Sequence, residues 1–154
     1  KEMIKIDFKK CWNVVLNDPN LRKSTIHGPS HWTRVERNGI LIGNRVGADI
    51  TVIKLFALFH DSRRRNDGID PGHGQRGAEY AKSIRDELFD ISDEQFDLFY
   101  DACKYHTRKI HTKNITMGVC WDSDRLDLGR IGIKPSAKFM NTEIAKEMVR
   151  KNKF

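Results

Sequence analysis

The sequence predicts an all-α fold in a single domain, residues 1–154, and three observations lead there. Apolar residues return at helical spacing in one segment after another. Residues suited to helix ends separate those segments. No internal repeat, low-complexity tract or β-hairpin signal interrupts the series, and 154 residues suit one core of ordinary size.

Residues from about Glu2 to Asn17 form an amphipathic candidate helix, stopped by Asn17-Asp18-Pro19. In "GPSHWTRVERNGILIGNRVG", Ser30 is the expected cap, and Trp32, Val35, Gly39, Ile42 and Val46 share one face. The next helix begins near Asp49 in "ADITVIKLFALFHD". It is apolar almost all round, which predicts a central position, although its β-branched residues also allow a buried strand. "SRRRNDGIDPGHG" is rich in turn formers and reads as a loop, with a helix following from about Gly74 to Leu88. Ser92 and Gln95 make a capping box for a helix reaching roughly Lys109. Another covers Ile115 to Leu128, and the last starts at Asn141 or Thr142, with Glu143 favourable in its first turn.

Composition narrows the function classes. Hydrophobic residues at 38% and charged residues at 32% describe a folded, soluble chain and exclude a disordered or fibrous one. No apolar run approaches the roughly 20 residues needed to cross a bilayer. The start, "KEMIKIDFKKCW", has no apolar signal region, so a cytoplasmic location is expected. Cys11, Cys103 and Cys120 form no scaffold pattern and read as reduced thiols. The net charge of +7 favours anionic partners, but the basic residues are dispersed. Without a basic stripe or a recognition motif, duplex nucleic acid is not the expected partner. The tight basic cluster is Arg63, Arg64 and Arg65, directly after His60-Asp61.

Two ionisable groups at the tip of an apolar helix need matching groups elsewhere. His31 lies in the first turn of its helix, and Asp124 lies on a later helix in "CWDSDRLDLG". If the three helices pack together, two imidazoles and two carboxylates meet at one point. Such nitrogen and oxygen donors suit a divalent transition metal, which offsets the cost of burying two carboxylates. Spacing alone leaves other readings open. A helix-end histidine capped by its neighbour explains His60-Asp61, and Asp122 and Asp127 compete with Asp124.

"SHWTRVERNG", "LFALFHDSRR", "DPGHGQRGAEYA" and "DSDRLDLGRIGI" occur in an order that resembles the HD-domain superfamily of metal-dependent phosphohydrolases. Small stand-alone bacterial members are the most similar. The resemblance covers roughly Ile26 to Ala145 and implies an all-α bundle around a metal site. It also implies His31, His60, Asp61 and Asp124 as metal ligands, Asp124 because it immediately precedes Arg125-Leu126. Asp127 is then expected to orient Arg125 or cap nearby backbone. Binuclear family members add histidines between the His–Asp pair and the last aspartate, while mononuclear ones use them to hold phosphate or protonate the leaving group. His73 and His106 are the candidates for either role. The spacing departs from the adjacent-histidine pattern of the cyclic-dinucleotide-cleaving branch, and the Gly-Tyr-Pro signature is absent, which counts against that branch. His27 and His111 are given no catalytic role, although His111 can assist His106.

The implied chemistry is hydrolysis of a phosphoric ester, monoester or diester, on a small, nucleotide-like metabolite. One or two divalent ions (Mn, Co, Ni, Fe, Mg or Zn) activate water, and Asp61 both ligates and holds it. Arg64 and Arg65, with Arg76 and Lys104 as weaker additions, are the expected phosphate contacts, because guanidinium groups match phosphate with paired donors. The alternatives are a metal- or nucleotide-binding module without turnover, and a di-iron oxygenase needing six protein ligands. A homodimer is compatible with the sequence, which locates no interface.

Overall fold

Seven α-helices make up the regular structure, with two 3₁₀ turns and no strand among residues 6–154, which are those the computed structural model describes. Helix α1 is Phe8–Leu16, capped by the Asp7 carboxylate, which accepts from the Lys10 amide at 3.1 Å. The start expected at Glu2 lies outside the described residues. Helix α2 is Pro29–Val46. Its cap is Gly28, not Ser30: Pro29 has no N–H to satisfy and a fixed φ, so it opens the helix two residues earlier. Trp32, Val35, Gly39 and Ile42 are buried on the expected face, and Val46 is half-buried.

Helix α3, Ile50–Phe59, is capped by Asp49 as expected, and its helical form removes the strand alternative. Helix α4 is His73–Leu88 and α5 is Asp93–Tyr105, the latter with the complete Ser92/Gln95 capping box. Helix α5 ends four residues before Lys109, because the His106 ring turns back onto the Cys103 carbonyl. Helix α6, Ile115–Arg125, stops before Leu128 and tightens into a 3₁₀ turn at Leu128–Ile131. A second 3₁₀ turn at Ala137–Phe139 leads to α7, Glu143–Arg150, capped by Thr142.

Helix α3 sits in the middle, with α2 and α6 on one side and α5 and α4 on the other. Val52, Ile53 and every residue from Leu55 to Phe59 have no exposed surface, which accounts for its unbroken apolar character. Each Val, Ile, Leu or Phe among them contributes about 1.5–3 kcal/mol on burial. Two glycines bring α4 against its neighbours. A Cβ on Gly77 would strike the Phe59 carbonyl of α3, and one on Gly74 the Cys103 carbonyl of α5. The C-terminal ends of α3, α5 and α6 therefore meet the N-terminal ends of α2 and α4 at one place. No helix among the described residues is long and apolar enough to cross a membrane.

Candidate metal centre

Five buried histidines face that meeting point, and the second nitrogen of each ring is already committed. His60 Nδ1 donates to the Phe56 and Ala57 carbonyls at 3.0 and 3.1 Å. His73 Nδ1 donates to the Asp70 carbonyl and His106 Nδ1 to that of Cys103, both at 2.6 Å. His31 Nδ1 donates to Asp127 Oδ2 at 2.7 Å. His27 is held the other way round, through Nε2 to the Asp67 carbonyl at 3.1 Å. In the neutral ring, each bond leaves the opposite nitrogen as an acceptor or metal ligand.

The free nitrogens fall into two sets around one carboxylate. Asp61 Oδ2 lies 3.3 Å from His31 Nε2 and 3.5 Å from His60 Nε2. Its other oxygen, Oδ1, lies 3.1 Å from His73 Nε2 and 3.8 Å from His106 Nε2. Asp124 Oδ1 closes the first set, 3.1 Å from His31 Nε2 and 3.5 Å from His60 Nε2. Thus His31, His60, Asp61 and Asp124 converge with ligand atoms within 4.8 Å of one another, and Asp61, His73 and His106 do the same. The arrangement provides one or two sites for a divalent metal.

The donor chemistry fits such an ion. His31 Nε2 approaches His60 Nε2 at 3.1 Å, and His73 Nε2 approaches His106 Nε2 at 3.0 Å. Asp61 Oδ2 and Asp124 Oδ1 are buried and find no hydrogen-bond donor in the protein. Imidazole and carboxylate donors without thiolate are those of Mn, Fe, Co, Ni or Zn. Burial opposes ionisation of Asp61, yet His60, His31 and His73 around it hold its carboxyl well below the usual range. Asp124 behaves alike, with His31, His60 and Arg130 outweighing burial. For His31, burial is overcome by Asp124, Asp127 and Asp61, which raise its pKa to about 10. His106 goes the opposite way: burial dominates and pushes it down to about 4. Its ring is therefore neutral at pH 7, as a ligand must be.

The remaining expected residues are placed as follows. Asp122 lies outside the centre, its carboxylate taken up by the Asn141 and Thr142 amides, each at 2.7 Å. Asp127 does not orient Arg125; it bridges His31 and Arg34, with Arg34 Nε at 2.7 Å. Arg125 instead donates to the Ile110, Phe139 and Lys109 carbonyls, because its place on α6 points it at the 106–111 segment. Arg64 Nε is buried 3.5 Å from Asp61 Oδ1. Arg65 is exposed, and Arg76 commits Nη2 to Asp70 and Nε to the Arg63 carbonyl. Lys104 lies over the Tyr105 ring, and exposed His111 bonds the Lys138 carbonyl, away from His106.

Sequence reasoning did not name Arg130 and did not assign Asp127 and His27 the places they take. Arg130 Nη2 reaches to 3.7 Å from Asp124 Oδ1. Asp127 supports His31, and His27 is buried beside Asp61. Helical spacing carried a signal for Asp127, three residues after Asp124, whereas His27 precedes its helix and has no periodic neighbour.

No protein-family model matches the chain, and no curated protein matches it. Among solved structures it is similar to the crystal structure of a predicted HD superfamily hydrolase from an uncultured Thermotogales bacterium. The two share 27% sequence identity with a TM-score of 0.69, covering 93% of this chain and 83% of that one. The chain is a structural homologue of that protein, an all-helical bundle of the HD-domain type.

Proposed function

We propose that this chain is a metal-dependent phosphohydrolase acting on a small, nucleotide-like phosphorylated metabolite. One observation carries the reading: the two oxygens of Asp61 face two separate sets of imidazole nitrogens. A carboxylate so placed would be a ligand in both sets, alongside His31, His60 and Asp124 in the first and His73 and His106 in the second, if divalent ions were bound there. A metal bound there supplies a water of lowered pKa and polarises a phosphoryl oxygen. The similarity to a predicted HD superfamily hydrolase supports hydrolysis as the reaction.

The chain's own residues supply the rest. Asp61 and Asp124, kept ionised by their surroundings, orient the centre, and Asp127 fixes the His31 tautomer. Arg64 beside Asp61 and Arg130 beside Asp124 are cationic groups suited to the equatorial oxygens of a phosphoryl group. Arg65 lies exposed beyond Arg64, where it can meet a more distant part of the substrate. Arg76, engaged with Asp70, holds the loop that carries Arg65 and His73. Lys104 is assigned a supporting charge at the α5 end. Because His106 is neutral near pH 7, the ligand role suits it better than donation of a proton to the leaving group.

A di-iron oxygenase is the second reading, because four histidines and two aspartates make the six ligands it needs. The half-buried arginines beside both carboxylates favour the phosphate chemistry. The test is a metal-supplemented screen of nucleoside mono- and triphosphates, cyclic nucleotides and oligonucleotides, measuring phosphate or alcohol release. Iron-loaded protein is assayed in parallel for oxygen uptake. Metal-dependent release that disappears with bound metal in Asp61→Ala and Asp124→Ala is the expected result. Oxygen uptake without ester cleavage, or equal metal content in both variants and the parent, overturns the proposal.

A further inference from the structure

His27 is the buried histidine at this centre that lies outside both convergent ligand sets. Its position is built from two directions. The Ser24 hydroxyl receives the His27 amide at 3.0 Å and donates to Asp67 Oδ1 at 2.8 Å. The Asp67 carbonyl then receives His27 Nε2, and its carboxylate pairs with Arg22. The segment before α2 is thereby clamped to the loop after the His–Asp pair, and the buried ring between them is held by its Nε2. Packing closes the turn further: a Cβ on Gly28 would strike the Ser24 carbonyl, so the chain passes there at backbone contact.

The clamp settles which nitrogen faces inward. With Nε2–H donated to a carbonyl, the neutral ring presents an Nδ1 lone pair to the centre. Nδ1 lies 3.7 Å from Asp61 Oδ2, beyond hydrogen-bond reach, and both atoms are buried without a donor. Two acceptors aimed at each other across that gap call for something that is positive or carries a proton. The first-set ligands account for a cation on the Asp61 side. On the His27 side, a water with its oxygen toward the cation and a hydrogen toward Nδ1 satisfies both.

We propose that His27 Nδ1 accepts a hydrogen bond from the water that the metal centre activates, and so fixes the direction of its attacking lone pair. His27 is thus a water-orienting residue and not a metal ligand. This rests on the proposed metal sites but not on the identity of the substrate.

The test compares the parent with His27→Phe, His27→Ala and His27→Asn, all loaded with Co(II). Metal content and the visible Co(II) spectrum stay those of the parent, because no ligand is lost. Azide, an anion with no proton to offer Nδ1, binds about fivefold more tightly in both the Phe and Ala variants, read from the visible spectrum. With bis(4-nitrophenyl) phosphate, kcat falls roughly 100-fold in those variants while KM moves little. His27→Asn, whose carbonyl oxygen falls near the Nδ1 position, recovers part of that loss. Lower cobalt content or a changed azide-free spectrum overturns the proposal by making His27 a ligand. Weaker azide binding overturns it by making the ring a donor. Unchanged azide affinity overturns it by leaving His27 only a brace for Asp67. A parent that binds no cobalt removes the metal sites themselves, whereas a parent that binds cobalt without ester turnover leaves the azide comparison intact.

Discussion

Replacing Asp127 with asparagine separates a metal ligand from the group that supports one. Asp127 is not in either convergent set, yet its Oδ2 receives His31 Nδ1 at 2.7 Å and its Oδ1 receives Arg34 Nε at 2.7 Å. Both are short, charge-assisted bonds, and Asp127 is held below the usual carboxylate range by His31 and Arg34 against the opposing effect of burial. Asparagine keeps the shape and removes the charge. Its amide nitrogen cannot accept, so either Arg34 or His31 faces a donor. If it is His31, the ring takes the tautomer that protonates Nε2, the atom needed by the metal. Loss of such a partner typically costs 10- to 100-fold in metal affinity, or about 1.4–2.8 kcal/mol. Chelator-competition titration with Zn(II) or Co(II) measures it, with melting temperature confirming the fold. Affinity equal to the parent's refutes the supporting role. A loss as complete as that of Asp61→Ala refutes the distinction between support and ligand.

His73→Gln and His106→Gln each reduce bound metal from two ions to one by elemental analysis; a parent that never binds more than one refutes the second site. For the metal-free protein, His31 is raised from 6.5 to about 10, so its contribution to stability is fully present below pH 6.5 and is lost as pH rises through about 10. Melting temperature of the metal-free form falls by several degrees between pH 7 and pH 10.5, and metal addition near pH 8 releases a proton from His31; no release in a weakly buffered titration contradicts this. Gly74→Ala places a Cβ against the Cys103 carbonyl and 2.9 Å from His106 Nδ1. It destabilises by roughly 1–3 kcal/mol and weakens the second metal site before the first, read from melting and metal titration; unchanged melting refutes the close α4–α5 approach.

The helices were legible where local chemistry sets their ends. Asp49, Ser92 and Thr142 cap where expected, because each accepts from an amide three residues on, a relation contained within one turn. The ends that moved depend on contacts a local pattern does not contain. Helix α5 stops where His106 turns back on the Cys103 carbonyl, and α6 tightens at the residue that carries Asp127 to His31. The candidate ligands His31, His60, Asp61 and Asp124 were legible through ordered motifs, whereas His73 and His106 were left between a ligand role and a phosphate or proton role; the fold brings all six side chains to one place. Their supporting groups were not. Asp127 meets His31 across 96 residues and His27 meets the Asp67 carbonyl across 40. Such pairings exist only after α2, α6 and the loop from Ser62 to Gly72 have packed.

The charge arrangement explains why the chain maintains so many buried ionic groups. Asp61, Asp124 and Asp127 surround one imidazole that has no exposed surface, and Arg34, Arg64 and Arg130 stand behind them. Burial of charges is weak support for stability, since desolvation offsets most of the attraction. A centre selected for stability alone would be better filled with apolar groups like those of α3 next to it. Here the opposing shifts divide the two ligand sets. His31 is made strongly basic by three carboxylates, whereas His106 is kept neutral by burial. A proton and a divalent ion therefore compete for His31 in the first set, while in the second His106 offers a neutral nitrogen without that competition. Asp61, with one oxygen toward each set, is the side chain through which occupation of one alters the electrostatics of the other.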